Sequence, residues 1–176
     1  MKYELLFSGI GGQGVITLGE TLCDAAIKAG FNVTFVPFYG QEKRGGRTMC
    51  NIVISDGVES PIISAADIML IFDEKSLGDY QQLIAENGTL ILNSSMIDVE
   101  PNCSCKTIDK VPFYSIAQDL GNPKTANVVA LGYVAKMMPM IPYEIIAAEV
   151  EKSFAAKPKL IPINLEALKK GYDLNA

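Results

Sequence analysis

The chain has 176 residues with 15 basic and 20 acidic side chains, a net charge of −5, no His, no Trp and four Cys. That length fits one domain. The acidic balance argues against nucleic acid as the main partner, and the missing imidazole removes Ser-His-Asp, Cys-His and His-metal chemistry. Tyr3 to Ser8 reads as a buried strand, Gly9 to Gly14 as a glycine turn, Val15 to Ala29 as a helix with Val15, Leu18, Leu22, Ala25 and Ala26 on one face, and Asn32 to Val36 as the next strand. Pro37 to Arg47 is a loop. Thr48 to Ser55 and the residues from Val58 read as two strands joined by Asp56-Gly57, a strong hairpin signal. Asp67 to Phe72 is a further strand, Glu74 to Ala85 a helix and Gly88 to Asn93 a strand. Helices are expected at Tyr114 to Leu120, at Thr125 to Met138, through Tyr143, Ile146, Val150 and Phe154, and after Asn164.

The expected architecture is a doubly wound, mostly parallel α/β sheet, with helices on both faces and one antiparallel hairpin, in a single domain spanning residues 1–176. The N-terminus lacks the pattern of a signal peptide, and no run of 18 apolar residues provides a membrane span. A cytoplasmic protein is the default expectation.

Gly9-Ile10-Gly11-Gly12-Gln13-Gly14 fits G-x-G-x-x-G between a strand and a helix. Its glycines permit close backbone approach, and the helix start offers free N–H groups to an anion. A dinucleotide site also needs an acid at the end of the next strand, and Gly30 to Phe38 holds neither Asp nor Glu. Three readings stay open: a bare turn, an anion or partner-chain contact, and a dinucleotide site. The following loop, Tyr39-Gly40-Gln41-Glu42-Lys43-Arg44-Gly45-Gly46-Arg47, holds the chain's only two arginines, Arg44 and Arg47, and a local charge of +2. Arginine suits bidentate contact with carboxylate or phosphate, and Gly45-Gly46 can aim consecutive N–H groups at an anion. Both loops are expected at the carboxyl edge of the sheet, where ligands gather. Their candidate contact residues are Gly9, Gly11, Gly12, Gln13, Gly14, Tyr39, Gly40, Glu42, Arg44, Gly45, Gly46 and Arg47.

Self-sufficient chemistry is missing. Cys103-x-Cys105 is a pair of loop or edge thiols rather than a four-cysteine cluster motif, and Cys23 and Cys50 read as core residues. Asp73-Glu74 reads as helix N-terminal charge, and Met137, Met138 and Met140 as core or subunit contacts. No catalytic residue, metal ligand or resident cofactor is expected of this chain.

Ser8 to Val15 (SGIGGQGV) and Pro37 to Gly46 (PFYGQEKRGG) resemble the gamma subunit, or gamma domain, of the 2-oxoacid:ferredoxin oxidoreductases. So do Cys50 to Ser55 running on to Ser60-Pro61, Ala66-Asp67-Ile68, Asn127 with Leu131-Gly132, and Asn164, Ala167 and Gly171, in the same order along nearly the whole chain. The resemblance implies a non-catalytic component of a complex that converts a 2-oxoacid and coenzyme A to acyl-CoA and CO2, with electrons passing to ferredoxin. Thiamine diphosphate and Mg are then expected on alpha and beta subunits, iron–sulfur clusters on beta or delta subunits, and coenzyme A as a substrate of the complex. Gln41 stands where the family spelling has proline, and the Y-G-x-E-x-R-G-G form is closer to the 2-oxoglutarate and branched-chain oxoacid members than to the pyruvate ones. Two other readings are a small subunit of an indolepyruvate:ferredoxin oxidoreductase and a stand-alone nicotinamide or flavin oxidoreductase. A purely structural scaffold is a further competitor. An interface left bare in the isolated chain is expected to promote self-association.

Overall fold

The computed structural model describes residues 1–40 and 45–175. The chain runs β1 (Lys2–Ile10), α1 (Val15–Lys28), β2 (Asn32–Tyr39), β3 (Arg47–Ser55), β4 (Ala66–Ile71), α2 (Glu74–Tyr80), β5 (Ile84–Asn93), β6 (Thr107–Val111), α3 (Phe113–Asp119), α4 (Ala126–Lys136), α5 (Tyr143–Ser153) and α6 (Ile161–Asp173). The six strands form one sheet in the order β2-β3-β1-β4-β5-β6. β1, β4, β5 and β6 are parallel neighbours, whereas β3 is antiparallel to both β1 and β2. β1 and β2 therefore point the same way, and their carboxyl ends share one edge.

Strand alternation sorts the side chains into two cores. Leu5, Phe7, Cys50, Ile52, Ile54, Ile68, Leu70 and Ile91 pack under α1, α3, α4, α5 and α6. Leu6, Met69, Ile71, Leu90 and Leu92 face the other way and meet Leu77 of α2. Helices thus cover both faces, but unequally. α4 is buried at nearly every position from Val128 to Ala135, as befits a helix enclosed on several sides. It crosses α6 so closely that a Cβ on Gly132 would strike the Leu168 carbonyl, and one on Gly171 the Val129 carbonyl. Glycine is required at both points for helix approach.

Three expectations need correction. The hairpin through Asp56-Gly57 does not form. β3 is already paired along both edges, so no edge remains for the residues after it. The antiparallel hairpin is instead β2–β3, and residues 56–65 form a strandless connection in which Ser55 Oγ donates to the Gly57 carbonyl. The helix expected over Glu74 to Ala85 stops at Tyr80, passes through a 3-10 turn at Gln81–Leu83 and gives way to β5 at Ile84. Thr107–Val111, to which the sequence reading assigns no element, is an edge strand. The last helix begins at Ile161, so Asn164 lies inside it, buried, donating to the Leu160 carbonyl.

Candidate functional site: two glycine loops and an arginine cleft

The turn after β1 depends on glycine for two reasons. Gly12 (φ 98°) and Gly14 (φ 74°) adopt left-handed backbone. At Gly9 a Cβ would lie 2.5 Å from Gln13 Oε1 and 2.8 Å from Val15 Cγ2, so space decides there. Gln13 folds back over the turn. Its Oε1 accepts from Ile10 N at 2.7 Å, its own N donates to the Ile10 carbonyl at 3.1 Å, and its side chain reaches the Tyr114 hydroxyl. Burial raises the Tyr114 pKa against the effect of that Gln13 bond. Asn127, at the start of α4, donates to the Gly14 carbonyl at 3.3 Å. α1 then starts with no side-chain cap and no acid in its first turn, which leaves its N-terminal partial positive charge uncompensated by the chain.

The second glycine loop meets the first. Gly11 N donates to the Gly46 carbonyl at 2.7 Å, and Gly45 takes φ 67°. Gly40 N donates to the Arg47 carbonyl at 2.6 Å and closes the neck of the loop. The structure thus brings Gly9, Gly11, Gly12, Gln13, Gly14, Gly45 and Gly46 together at the carboxyl edge. Glu42 and Arg44 lie outside the described residues, as do Gln41 and Lys43.

Arg47 points elsewhere. Its guanidinium pairs with Asp79, lies 5.6 Å over the Tyr80 ring and reaches the Tyr80 hydroxyl at 3.5 Å. The Tyr80 hydroxyl first, then Asp79 and Asp73, raise its pKa, so the cation is fixed. Beside it opens a cleft of about 480 Å³ lined by Phe38, Tyr39, Gly40, Arg47, Met49, Lys75 and Tyr80. Two cations and three aromatic rings suit an anionic ligand or partner surface carrying an aromatic group. Tyr39 is 66% exposed and Phe38 46%, which is unusual for large rings at a strand end.

A polar relay joins the two loops to α2. Ser8 Oγ sits 2.9 Å from Ser76 Oγ, which donates to Asp73 at 2.7 Å, and Asp73 caps α2 by accepting from Ser76 N at 3.1 Å. Phe72 N donates to the Ser8 carbonyl at 2.9 Å. The end of β4 therefore lies against the end of β1, where connections leave the sheet in opposite directions.

Lys75, Asp79 and Tyr80 were not among the sequence candidates. The signal for them is indirect: a helix following a parallel neighbour of β1 must start at the same edge. Among the described residues no group of three His, Cys, Asp or Glu side chains comes together to hold a metal, and no helix is long and apolar enough to cross a membrane. The arrangement can bind and orient an anionic or aromatic group.

Comparison with known proteins matches this geometry to one family. The chain is 32% identical over 174 residues to ketoisovalerate oxidoreductase subunit VorA of Methanothermobacter marburgensis, covering 98% of this chain but only 36% of the relative. It is 30% identical over 183 residues to 2-oxoglutarate synthase subunit KorC of Methanocaldococcus jannaschii, covering 99% of this chain and 94% of that subunit. The solved gamma subunit of a keto/oxoacid ferredoxin oxidoreductase from Geobacter sulfurreducens superposes with a TM-score of 0.82 at 28% identity, over 97% of this chain and 96% of that one. The chain spans about a third of the VorA relative and nearly all of the separate subunits. The family model for pyruvate ferredoxin/flavodoxin oxidoreductase matches residues 4–174, and the chain belongs to that family.

Proposed function

We propose that this chain is the non-catalytic gamma subunit of a multisubunit 2-oxoacid:ferredoxin oxidoreductase, acting in the cytoplasm as one α/β domain. The complex takes a 2-oxoacid, coenzyme A and oxidised ferredoxin to acyl-CoA, CO2 and reduced ferredoxin. The observation that carries the reading is the junction of the two glycine loops, Gly11 N on the Gly46 carbonyl, beside the arginine cleft, in a chain of this family. Such a surface presents backbone N–H groups, cations and aromatic rings, but no catalytic set.

Thiamine diphosphate, Mg and iron–sulfur clusters are assigned to other chains of the complex; the chain has no His, and its four Cys lack a four-cysteine cluster spacing. Those groups belong on alpha and beta subunits, with a delta subunit where one is present. The contact set is Gly9, Gly11, Gly12, Gln13, Gly14, Gly45 and Gly46 at the junction, Tyr39, Gly40 and Arg47 in the cleft, and Glu42 and Arg44 from the loop between them. The proposed ligands of this set are coenzyme A phosphates or the catalytic chains. The oxoacid is 2-oxoglutarate or a branched-chain acid, in keeping with the names of the VorA and KorC relatives.

The test is affinity capture of the chain from its own cells, followed by a viologen-linked assay of coenzyme-A-dependent oxoacid oxidation in the eluate. Larger partner chains and activity on one of these oxoacids are expected. Activity confined to an arylpyruvate would move the chain to an indolepyruvate complex, and a single inactive chain would overturn the subunit reading. In the reconstituted complex, replacing Arg44 and Arg47 with Ala is expected to weaken assembly or raise the coenzyme A requirement; unchanged assembly and kinetics would remove the loop from the contact set.

A further inference from the structure

The four cysteines fall into two environments. Cys23 and Cys50 are buried in the main core, and burial raises both thiols, Cys50 to about 12. They are inert. Cys103 and Cys105 are half-buried in the connection between β5 and β6, packed with Met49, Ile63 and Tyr80 against the second core. The Cys105 Sγ donates to the Thr107 carbonyl at 3.4 Å, and Cys103 lies two residues before it, close enough for Cys105 to raise the Cys103 thiol.

This span is held at both ends. Asn102 N donates to Gln81 Oε1 and the Asn102 carbonyl accepts from Gln82 Nε2, both at 2.6 Å. Thr107 opens β6 opposite Thr89. Gln81 directly follows Tyr80, whose hydroxyl and ring hold Arg47. The dithiol therefore lies one short, hydrogen-bonded step from the arginine cleft.

We propose that Cys103 and Cys105 are a reversible dithiol–disulfide pair, oxidised by a hydroperoxide, whose state is passed through Asn102 and the 3-10 turn to Tyr80 and Arg47. With hydrogen peroxide, the Cys105 sulfur attacks one peroxide oxygen, the O–O bond breaks, and the leaving oxygen takes the Cys105 proton as water. The resulting sulfenic acid is displaced by the Cys103 sulfur, and its hydroxyl leaves with the Cys103 proton as a second water. Two S–H bonds and one O–O bond become one S–S bond and two waters; the thiols lose two electrons and the peroxide gains them. Burial, with Cys105 adding to it, pushes the Cys103 thiol up to about 11, which disfavours Cys103 as the sulfur that first meets the peroxide. Closing a disulfide requires the two Cα atoms within about 6.8 Å, a span that residues two apart in a bent connection can meet.

Both cysteines fall on one tryptic peptide, residues 76–106. The full chain is treated with hydrogen peroxide, alkylated, digested and weighed. The expected product is that peptide lighter by two hydrogens, with loss of alkylation at Cys103 and Cys105 alone, reversed by dithiothreitol. Oxygen added to either sulfur as the main product, or a bond joining two chains, would overturn the pair. Cys103→Ser is expected to arrest oxidation at a Cys105 sulfenic acid that dimedone traps; the wild-type mass reading stands without this variant. Hydrogen exchange of residues 77–83 is expected to quicken about threefold on oxidation. Identical exchange in the two states would overturn the link to Tyr80 and Arg47.

Discussion

Among the described residues, five helices cover one face of the sheet and a single seven-residue helix covers the other, and the polar groups follow that asymmetry. Under the five helices, Phe72, Phe113 and Tyr133 are fully buried, with rings 5.9–6.1 Å apart, and the Tyr133 hydroxyl is satisfied by Asp109. Under α2 lie the Arg47–Asp79 pair, the Ser8–Ser76–Asp73 relay, the two half-buried thiols and the open cleft. One face spends its side chains on cohesion. The other keeps charge and aromatic surface where an outside group can reach them.

The sharpest way to break this contrast is truncation on each side. Phe113→Ala should cost about 3–5 kcal/mol, read as a lower midpoint of global chemical denaturation. An unchanged midpoint would show that the aromatic layer is not a keystone. Leu77→Ala, the apolar anchor of α2, should cost about 2–3 kcal/mol but mostly locally. Hydrogen exchange should quicken over residues 74–83 while β1 and β4 stay protected. Uniform loss of protection would mean the two faces unfold as one.

A smaller effect is expected outside the main core, where α5 meets α1. Burial alone pushes the Glu149 carboxyl up, but hydrogen bonds from Lys28 and Lys152 outweigh it and hold the group below its ordinary 4.5. A carboxylate whose folded value is lowered adds stability above pH 4.5 and loses it as pH falls through the folded value. Glu149→Gln should therefore flatten the decline in stability below about pH 5. An equally steep acid limb in the variant would remove the lysines from the ledger. Smallest of all, Asp79→Asn should change stability by less than about 1 kcal/mol, because the Arg47 pair is partly exposed. The same change should alter capture of partner chains, since it removes the carboxylate partner of Arg47 and leaves Tyr80 as its contact on α2. No change in either would leave Asp79 without a role.

The sequence shows the first strand–turn–helix–strand plainly because local patterns there agree with the fold. Leu5, Phe7, Val15, Leu18 and Leu22 mark buried faces, and the glycines mark the bend. It misleads at Asp56-Gly57, where a strong local turn signal loses to pairing already complete on both sides of β3. Thr107–Val111 escapes notice because an edge strand with alternating half-exposed residues carries little apolar signal. At the site, the closeness of the two glycine loops follows from strand direction. The turn of Arg47 toward Asp79 and Tyr80 does not, since Arg47 and Asp79 are 32 positions apart and are joined only through the β3–β1 and β1–β4 pairings.

The place of β3 also bears on how the chain is made. β1, α1 and β2 leave the ribosome before β3, yet β1 and β2 never pair with each other; the slot between them is filled by residues 47–55. Until Ser55 has emerged, both strands carry open edges facing one gap, and α1 lies across a floor that is missing its middle plank. Gly19 of α1 sits where a Cβ would touch Cys50 Sγ at 2.7 Å, so the helix seats fully only on the completed floor. The nascent half-sheet is thus a receptor for one particular strand, and whatever reaches that gap before β3 competes with birth of the native fold.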